Sequence, residues 1–240
     1  MKTLLAASLM TTFWATSPIA PQSTFTPERI HKLNAEKPRN AALEKVLTGL
    51  QKTYENTSTF SAQFSQSYTN SLLKKTDKSA GQVSFQKPGK MRWDYTKPEP
   101  KSFLISGSNL WIHQPKDHLA MVNKCFKQDS LTTSISFLWG AGNLRETFNV
   151  SFFKGQFGKK RDHNLLLIPK ETNTIFAKLI LVVDPDSYLV KQSILIDHQG
   201  NINRFYFSKS KTNEEFLQDH FSFRPPSGTH VSDLPGTCKG

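Results

Sequence analysis

Two pairs of side chains in this sequence have residue types and a spacing that could support chemistry. His113 and His118 lie on either side of a predicted turn, so both imidazoles could reach one metal ion. Asp184 and Asp186 flank a proline, and paired carboxylates are used by hydrolases for acid and base catalysis. Each pair has a plainer explanation, because metal sites need a third ligand and Asp is frequent in turns. We therefore predict neither a metal site nor a catalytic site.

The longer motifs of common active sites are also missing from the sequence. It contains no G-x-S-x-G elbow, no H-E-x-x-H motif, no P-loop and no dinucleotide fingerprint. The G-A-G-N stretch at 140–143 follows an apolar helical pattern, which is typical of a helix end and not of a phosphate loop. The residues predict a protein that is not an enzyme and that uses no cofactor.

An aromatic strand pattern between residues 81 and 114 is the clearest sign of elements that could form a binding site. Met91, Trp93 and Tyr95 fall on one face of a strand, and the charged residues between them fall on the other. The turn at 87–89 has Pro at its second position, where the ring presets the dihedral angle, and Gly at its third, where a positive angle is needed. Consecutive strands of this kind predict a concave apolar surface.

Two helices are predicted beside these strands. Residues 41–54 place apolar side chains at helical spacing, and Asn40 can cap the first turn. In the second helix, Leu131, Ile135 and Leu138 repeat at helical spacing before two glycines end the pattern.

The other segments have strand character and are separated by short turns. A polar connection is predicted at 71–81, and hairpin-length gaps elsewhere favour antiparallel pairing. We predict a mainly β (α+β) fold, an antiparallel β-barrel or strongly curved sheet of about eleven strands. Besides those within 81–114, the predicted strands are 59–68, 118–122, 149–153, 163–170, 177–184, 188–197, 201–209 and 220–226.

The first twenty residues have the layout of a secretory signal, with Lys2, a short apolar run and then small residues. We predict cleavage after Ala20, a flexible leader at 21–40, a single domain at 41–235 and a C-terminal tail at 236–240. No cysteine lies near the signal, so we expect an exported, soluble protein without a lipid anchor.

Cys125 and Cys238 are the two cysteines of the chain. An even number in an exported chain allows one disulfide bond, and two unpaired thiols are the alternative. On the loop-entropy model a bridge closing so long a loop stabilises by about 4–5 kcal/mol. Its predicted role is to hold the C-terminal tail on the body of the protein.

The formal net charge of +12 raises the question of a nucleic-acid partner. The basic residues occur in ones, twos and threes and form no long block or basic helix, so we predict no nucleic-acid binding. Dispersed positive charge fits better with acidic membrane surfaces or acidic protein partners, where it raises the encounter rate.

Four motifs occur in a fixed order along the chain. They are W-D-Y-x-x-P at 93–98, G-x-x-L-W at 107–111, F-L-W-G-A-G-N at 137–143 and F-x-F-x-P-P-x-G at 221–228. Together they resemble the periplasmic outer-membrane lipoprotein carrier family, LolA, over about residues 43–231. The resemblance implies an incomplete barrel, a helical lid and a hydrophobic cavity between them.

The resemblance further implies a monomeric periplasmic chaperone for acylated lipoproteins. Such a chaperone accepts them from an ABC-type releasing complex in the inner membrane and hands them to an outer-membrane receptor. The predicted lid residues are Leu131, Ile135 and Leu138. An ordinary packed core is the alternative for the predicted acyl-chain cavity residues, which are Phe64, Val83, Phe85, Met91, Trp93, Tyr95, Phe103 and Ile105.

One position departs from the family pattern. Family members often carry Arg before the turn proline, where it resembles a latch that bonds lid carbonyl groups, and this chain has Lys87 there. A single ammonium lacks the planar fork of Arg, so the implied latch should be weaker or differently aimed. Arg92 lies on the opposite face from Trp93 and is expected to point to solvent.

Other functions stay open at this point. A related receptor would carry an acylated cysteine at its mature N-terminus, and related stress-sensing regulators have a second domain after the strands, which we expect to end near Phe223. A lipid-processing enzyme would need a polar cluster inside the cavity. A periplasmic lipid or lipopeptide sensor of the same fold is the main alternative to a carrier.

Overall fold

The computed structural model describes residues 41–127, 143–171 and 176–234. These ranges contain one long helix, α1 (Ala41–Glu55), a short helix, α2 (Leu144–Thr147), and a 3-10 turn (Pro115–Asp117). The strands are β1 (Thr59–Thr69), β2 (Thr76–Gln86), β3 (Lys90–Lys97), β4 (Lys101–Ser106), β5 (Asn109–Gln114), β6 (Leu119–Asn123), β7 (Phe148–Phe152), β8 (His163–Pro169), β9 (Lys178–Val183), β10 (Val190–Ile196), β11 (Ile202–Thr212) and β12 (His230–Asp233).

All twelve strands belong to one curved sheet, in the order β12-β6-β5-β4-β3-β2-β1-β11-β10-β9-β8-β7. Strands β7 and β12 are the two edges, so the sheet is not closed, and the predicted incomplete barrel is confirmed. Neighbours pair antiparallel except β12, which runs parallel to β6. The β1–β11 pair joins the two halves of the chain in the middle of the sheet.

The predicted strand at 220–226 is wrong. The alternating pattern of Phe221 and Phe223 favoured a strand, but this segment packs across the sheet as irregular chain. Phe221 is only 6% exposed, and the ring of Phe223 lies 5.2 Å from that of Trp111. Two prolines follow, and they lack the N–H groups that a ladder needs. The last strand of the described residues is β12, which also corrects the expectation that the strands end near Phe223.

Helix α1 buries its apolar stripe on one face of the sheet, here called the inner face, which also carries Phe64 and Trp93. Its buried residues are Leu43, Val46, Leu47, Leu50 and Tyr54, which confirms the helical spacing of apolar side chains predicted for 41–54. At its C-terminal end the hydroxyl of Tyr54 accepts a hydrogen bond from the backbone N–H of Val190 at 3.1 Å. Burial raises the pKa of Tyr54 far above its usual value.

The N-terminal half of α1 is fixed by side chains from two other elements. The guanidinium of Arg145 in α2 lies 3.1 Å from the carboxylate of Glu44 and donates to the hydroxyl of Thr48 at 2.8 Å. Gly49 lies against the ring of Tyr188, where an added Cβ would come within 2.5 Å of a ring carbon. The helix is therefore held along its whole length.

Several predictions fall on residues outside the described ranges. They concern the signal and leader, the Asn40 cap, the second helix with its lid residues, and the tail. Cys125 is disulfide-bonded, whereas Cys238 lies outside the described residues, so their pairing stays a prediction. In the described part of the chain, no helix combines the length and the apolar character needed to cross a membrane.

We expect Tyr54→Phe to lower the free energy of unfolding by about 1–3 kcal/mol, because it leaves the buried N–H of Val190 without an acceptor. Urea denaturation of both proteins measures this difference. Tyr206→Phe is the control, since Tyr206 is 45% exposed. Equal midpoints for wild type and Tyr54→Phe would show that this bond does not fasten the helix.

Candidate apolar binding site

The inner face of β3, β4, β5 and β11 borders a cavity of about 320 Å³. Its walls are almost wholly apolar, which suits hydrocarbon and offers little to a polar metabolite. The lining residues are Met91, Trp93, Tyr95, Phe103, Ile105, Leu110, Ile112, Phe126 and Phe205.

Five of the eight residues predicted for the cavity line it: Met91, Trp93, Tyr95, Phe103 and Ile105. The other three, Phe64, Val83 and Phe85, lie beside it in the packed core under α1 and are each at most 3% exposed. The two groups share one face of the sheet, since Val83 pairs with Trp93 and Phe85 with Met91. The alternating strand pattern therefore predicted which side chains lie on the inner face. The position of α1 determines which part of that face is packed core and which part borders the cavity.

Four lining residues were missed by the sequence analysis. Leu110 and Ile112 pair with Ile105 and Phe103 across the β4–β5 hairpin, so extending the alternation through the turn would have found them. Phe205 reaches the cavity through β11, which pairs with a strand far away in sequence, and no local pattern indicates that. Phe126 follows β6 as irregular chain, with no periodic signal.

Edge-to-face contacts between aromatic rings join the cavity wall to the packed core beside it. The Trp93 ring lies 5.0 Å from the ring of Phe64 and 5.2 Å from that of Phe205, with interplanar angles of 61° and 64°. Such pairs contribute about 0.5–1.5 kcal/mol beyond the burial of their area. Trp93 is therefore held in the wall by ring contacts on two sides.

Polar groups gather at one end of the cavity. The hydroxyl of Tyr95 donates to Gln66 Oε1 at 3.0 Å, and Gln66 Nε2 donates to Asn203 Oδ1 at 2.8 Å. Burial raises the pKa of Tyr95 to about 12, so this hydroxyl stays neutral at physiological pH. Lys101 Nζ lies 4.6 Å from the centre of the Tyr95 ring. A ligand with an apolar chain and a polar head would match a cavity whose walls are apolar and whose one end is polar.

The opposite side of the cavity strands, here called the outer face, is covered by the segment 216–223. Arg92 was expected to point to solvent, and this is wrong. Its Nε lies 2.6 Å from Asp94 Oδ2, and its Nη1 donates to the carbonyl oxygen of His220 at 2.9 Å. The reason is that the C-terminal segment returns across this face, which no local pattern shows.

Lys87 donates to backbone carbonyl groups at the C-terminal end of α1. Its Nζ lies 2.5 Å from the oxygen of Tyr54 and 3.4 Å from that of Glu55. Burial lowers the pKa of Lys87, and the charge of Glu55 opposes that shift. A cation is favourable at this end of a helix, because the last carbonyl groups have no partners within the helix. The implied latch to the predicted lid concerns residues outside the described ranges.

The two pairs weighed first for chemistry have structural surroundings. The ring of His113 packs against Phe223 at 5.0 Å, while His118 ends the exposed 3-10 turn. Asp184 Oδ1 accepts from the backbone N–H groups of Asp186 and Ser187, and the bond from Ser187 is the main cause of its lowered pKa. Within the described ranges, no group of three or more His, Cys, Asp or Glu could hold a metal ion.

Comparisons with known proteins give consistent results. The model of the family described as outer membrane lipoprotein carrier protein LolA matches residues 55–224. An outer-membrane lipoprotein carrier protein of Chromobacterium violaceum is 31% identical over 174 residues, covering 72% of this chain and 80% of that protein. One from Dechloromonas aromatica is 28% identical over 178 residues, with coverages of 74% and 82%.

A solved structure shares the fold at low identity. It is an uncharacterized conserved protein from Thermus thermophilus, with a TM-score of 0.52 and 11% identity, and the match covers 81% of this chain and all of that one.

We expect Ile112→Asp to weaken binding of a fluorescent fatty acid by about tenfold or more, because a carboxylate in the wall loses water when an acyl chain packs on it. Fluorescence titration measures the affinity. Ile168→Asp is the matched control, since Ile168 lies in β8 outside the cavity lining and is 39% exposed. Equal affinities for the two variants would place the probe elsewhere.

We expect Lys87→Met to lower the free energy of unfolding by about 1 kcal/mol, since two carbonyl groups of α1 lose a charged donor. For a domain of this size the melting temperature should fall by about 2–4 °C. Lys87→Arg keeps the positive charge, so its free energy of unfolding should fall by less. Unchanged melting and unchanged amide exchange in α1 for Lys87→Met would contradict a fastening role.

Proposed function

Because this chain belongs to the outer membrane lipoprotein carrier family, LolA, we propose that it carries acylated lipoproteins through the periplasm and delivers them to an outer-membrane receptor. The observation that carries this proposal is the apolar cavity on the inner face of the sheet. The polar end of that cavity, at Tyr95 and Lys101, suits the junction between acyl chains and peptide.

The energetic need for such a carrier follows from hydrocarbon in water. Each exposed methylene group costs about 0.8 kcal/mol, so an anchor with three acyl chains faces a barrier of some tens of kcal/mol without a shield. A preformed apolar wall lowers that barrier without new folding. The walls of Met91, Trp93 and Phe205 are such a surface.

The size of the cavity implies that loading requires it to widen. At about 320 Å³ it is near the lower limit of pockets for small molecules, which are about 300–1,000 Å³, and three acyl chains need much more room. Strands β6 and β7 are consecutive along the sequence, yet they lie near opposite ends of the strand order. Their separation supports the proposal that Leu131, Ile135 and Leu138, which lie between them in the sequence, belong to a movable cover.

Transfer requires binding of intermediate strength. The cavity must hold the acyl chains long enough for transit, yet lose them to the receptor, and cover and cargo compete for the same wall. We propose that an ABC-type complex in the inner membrane loads the carrier. The net charge of +12 speeds encounter with acidic partners more than it strengthens binding.

A release experiment tests the proposal. Purified exported protein is added to spheroplasts of the source cell, and the medium is analysed for acylated lipoproteins in a soluble one-to-one complex with it. We expect release that requires ATP and the acyl chains, strongly reduced for Ile112→Asp and retained for Ile168→Asp.

The same experiment separates the carrier from a lipid or lipopeptide sensor. A sensor would bind lipid or lipopeptide in solution but release no lipoprotein from spheroplasts. Fatty-acid binding without release would therefore refute the carrier, while the apolar site would stand. Release by Ile112→Asp at the wild-type level would refute this cavity as the cargo site.

A further inference from the structure

The tip of the β1–β2 hairpin, residues 70–75, presents two neighbouring leucines to solvent. Leu72 is 86% exposed and Leu73 is 71% exposed. Single exposed apolar residues are common on protein surfaces, but two adjacent leucines at the end of a hairpin of two eleven-residue strands make a compact apolar point. Neither residue contributes to the cavity or the core described above.

The backbone of this tip is firmly held. The side-chain oxygen of Asn70 accepts from the N–H groups of Leu72 at 3.1 Å and Leu73 at 2.8 Å. The N–H of Asn70 itself donates to the carbonyl oxygen of Lys75 at 2.9 Å. The leucines are therefore displayed by a defined turn.

A second turn supports the tip from the side. Ser71 donates its N–H to Asn201 Oδ1 at 2.9 Å and its hydroxyl to the carbonyl oxygen of Gln199 at 2.7 Å. Gly200 lies between these partners with a φ of 81°, a conformation that L side chains rarely adopt. The β10–β11 turn thus fixes the orientation of the β1–β2 tip.

These hydrogen bonds lower the cost of moving the tip out of water. An N–H group without a partner is expensive in an apolar medium, and the N–H groups of residues 71, 72 and 73 all have acceptors within the protein. The side chains of Leu72 and Leu73 would gain from the same transfer.

The charge around the leucines is positive. Lys74, Lys75 and Lys78 follow them within six residues, whereas the acidic residues are Asp77, which lies 3.1 Å from Lys75, and Asp197 in the supporting turn. The three lysines therefore outnumber the two carboxylates. Leucines flanked by lysines are the composition of segments that bind at the interface of anionic bilayers, where each lysine adds about fivefold in affinity. An uncharged protein groove would take the leucines equally well but would give no reason for three lysines.

We propose that the β1–β2 tip docks on anionic phospholipid bilayers, with Leu72 and Leu73 in the interface and the lysines against lipid phosphates. This surface is separate from the cavity and does not depend on the carrier proposal. The strand register places it at the end of the sheet where Gln66 and Tyr95 meet. Docking would therefore turn the polar end of the cavity toward the membrane.

Vesicle sedimentation tests the proposal with purified exported protein. We expect binding to vesicles of phosphatidylglycerol and phosphatidylcholine, and weak binding to phosphatidylcholine alone. The double variant Leu72→Ser, Leu73→Ser should lose at least about tenfold in partitioning. Lys74→Gln with Lys75→Gln should lose about fivefold per lysine at low salt, and less at high salt.

Leu217→Ser is the matched control, because Leu217 is 81% exposed but lies in the segment 216–223. It should bind vesicles like wild type, and all variants should keep fatty-acid binding, since the cavity is unchanged. The proposal would be overturned if the wild-type protein does not bind anionic vesicles. It would also be overturned if Leu217→Ser loses as much vesicle binding as the variants of the tip. Binding of the tip only to membranes that contain protein would overturn it in favour of a protein partner.

Discussion

The arrangement of this protein depends on keeping apolar surface uncovered next to a packed core. Apolar walls normally collapse on one another, because every contact gains dispersion energy and removes area from water. Here Trp93 and Phe103 are paired neighbours on two strands that backbone hydrogen bonds hold in one sheet, so this wall cannot fold onto itself to fill the space in front of it. Hydrocarbon can then enter a space that the protein does not have to create from a filled core.

Helix α1 decides where the core ends and the cavity begins. It covers the part of the inner face that carries Phe64, Val83 and Phe85, and it leaves Tyr95 and Phe103 partly uncovered. Its position is fixed through bonds to parts of the chain far apart in sequence, among them those of Tyr54 and Arg145. These polar contacts act together with the buried apolar stripe of the helix to fix the boundary between the filled core and the cavity.

Period-two alternation in the sequence predicted the strands and five of the nine residues that line the cavity, because that signal is local, whereas the opening of the sheet was implied by the family resemblance. It found Met91, Trp93 and Tyr95 on one face, and the periodicity of α1 was equally clear. It failed where strands have polar ends: residues 71–81 were predicted as a connection, yet β2 begins at Thr76 and its first residues are exposed. The place of Phe205 in the cavity wall and the packing of the segment 216–223 over Arg92 both depend on contacts between residues distant in sequence. No local pattern predicts such contacts.

The outer face explains how a thin wall can resist collapse. Behind the cavity strands, Asp94 accepts from Arg92 and Ser102, and Arg92 reaches His220. Behind β8–β10, the loop around Phe153 and Phe157 covers a second apolar cluster. Sheets buried on both faces bend less easily than sheets with one face in water, since bending would expose packed surface on the far side. The side chains on the outer face therefore stabilise the shape of the cavity together with the side chains that line it.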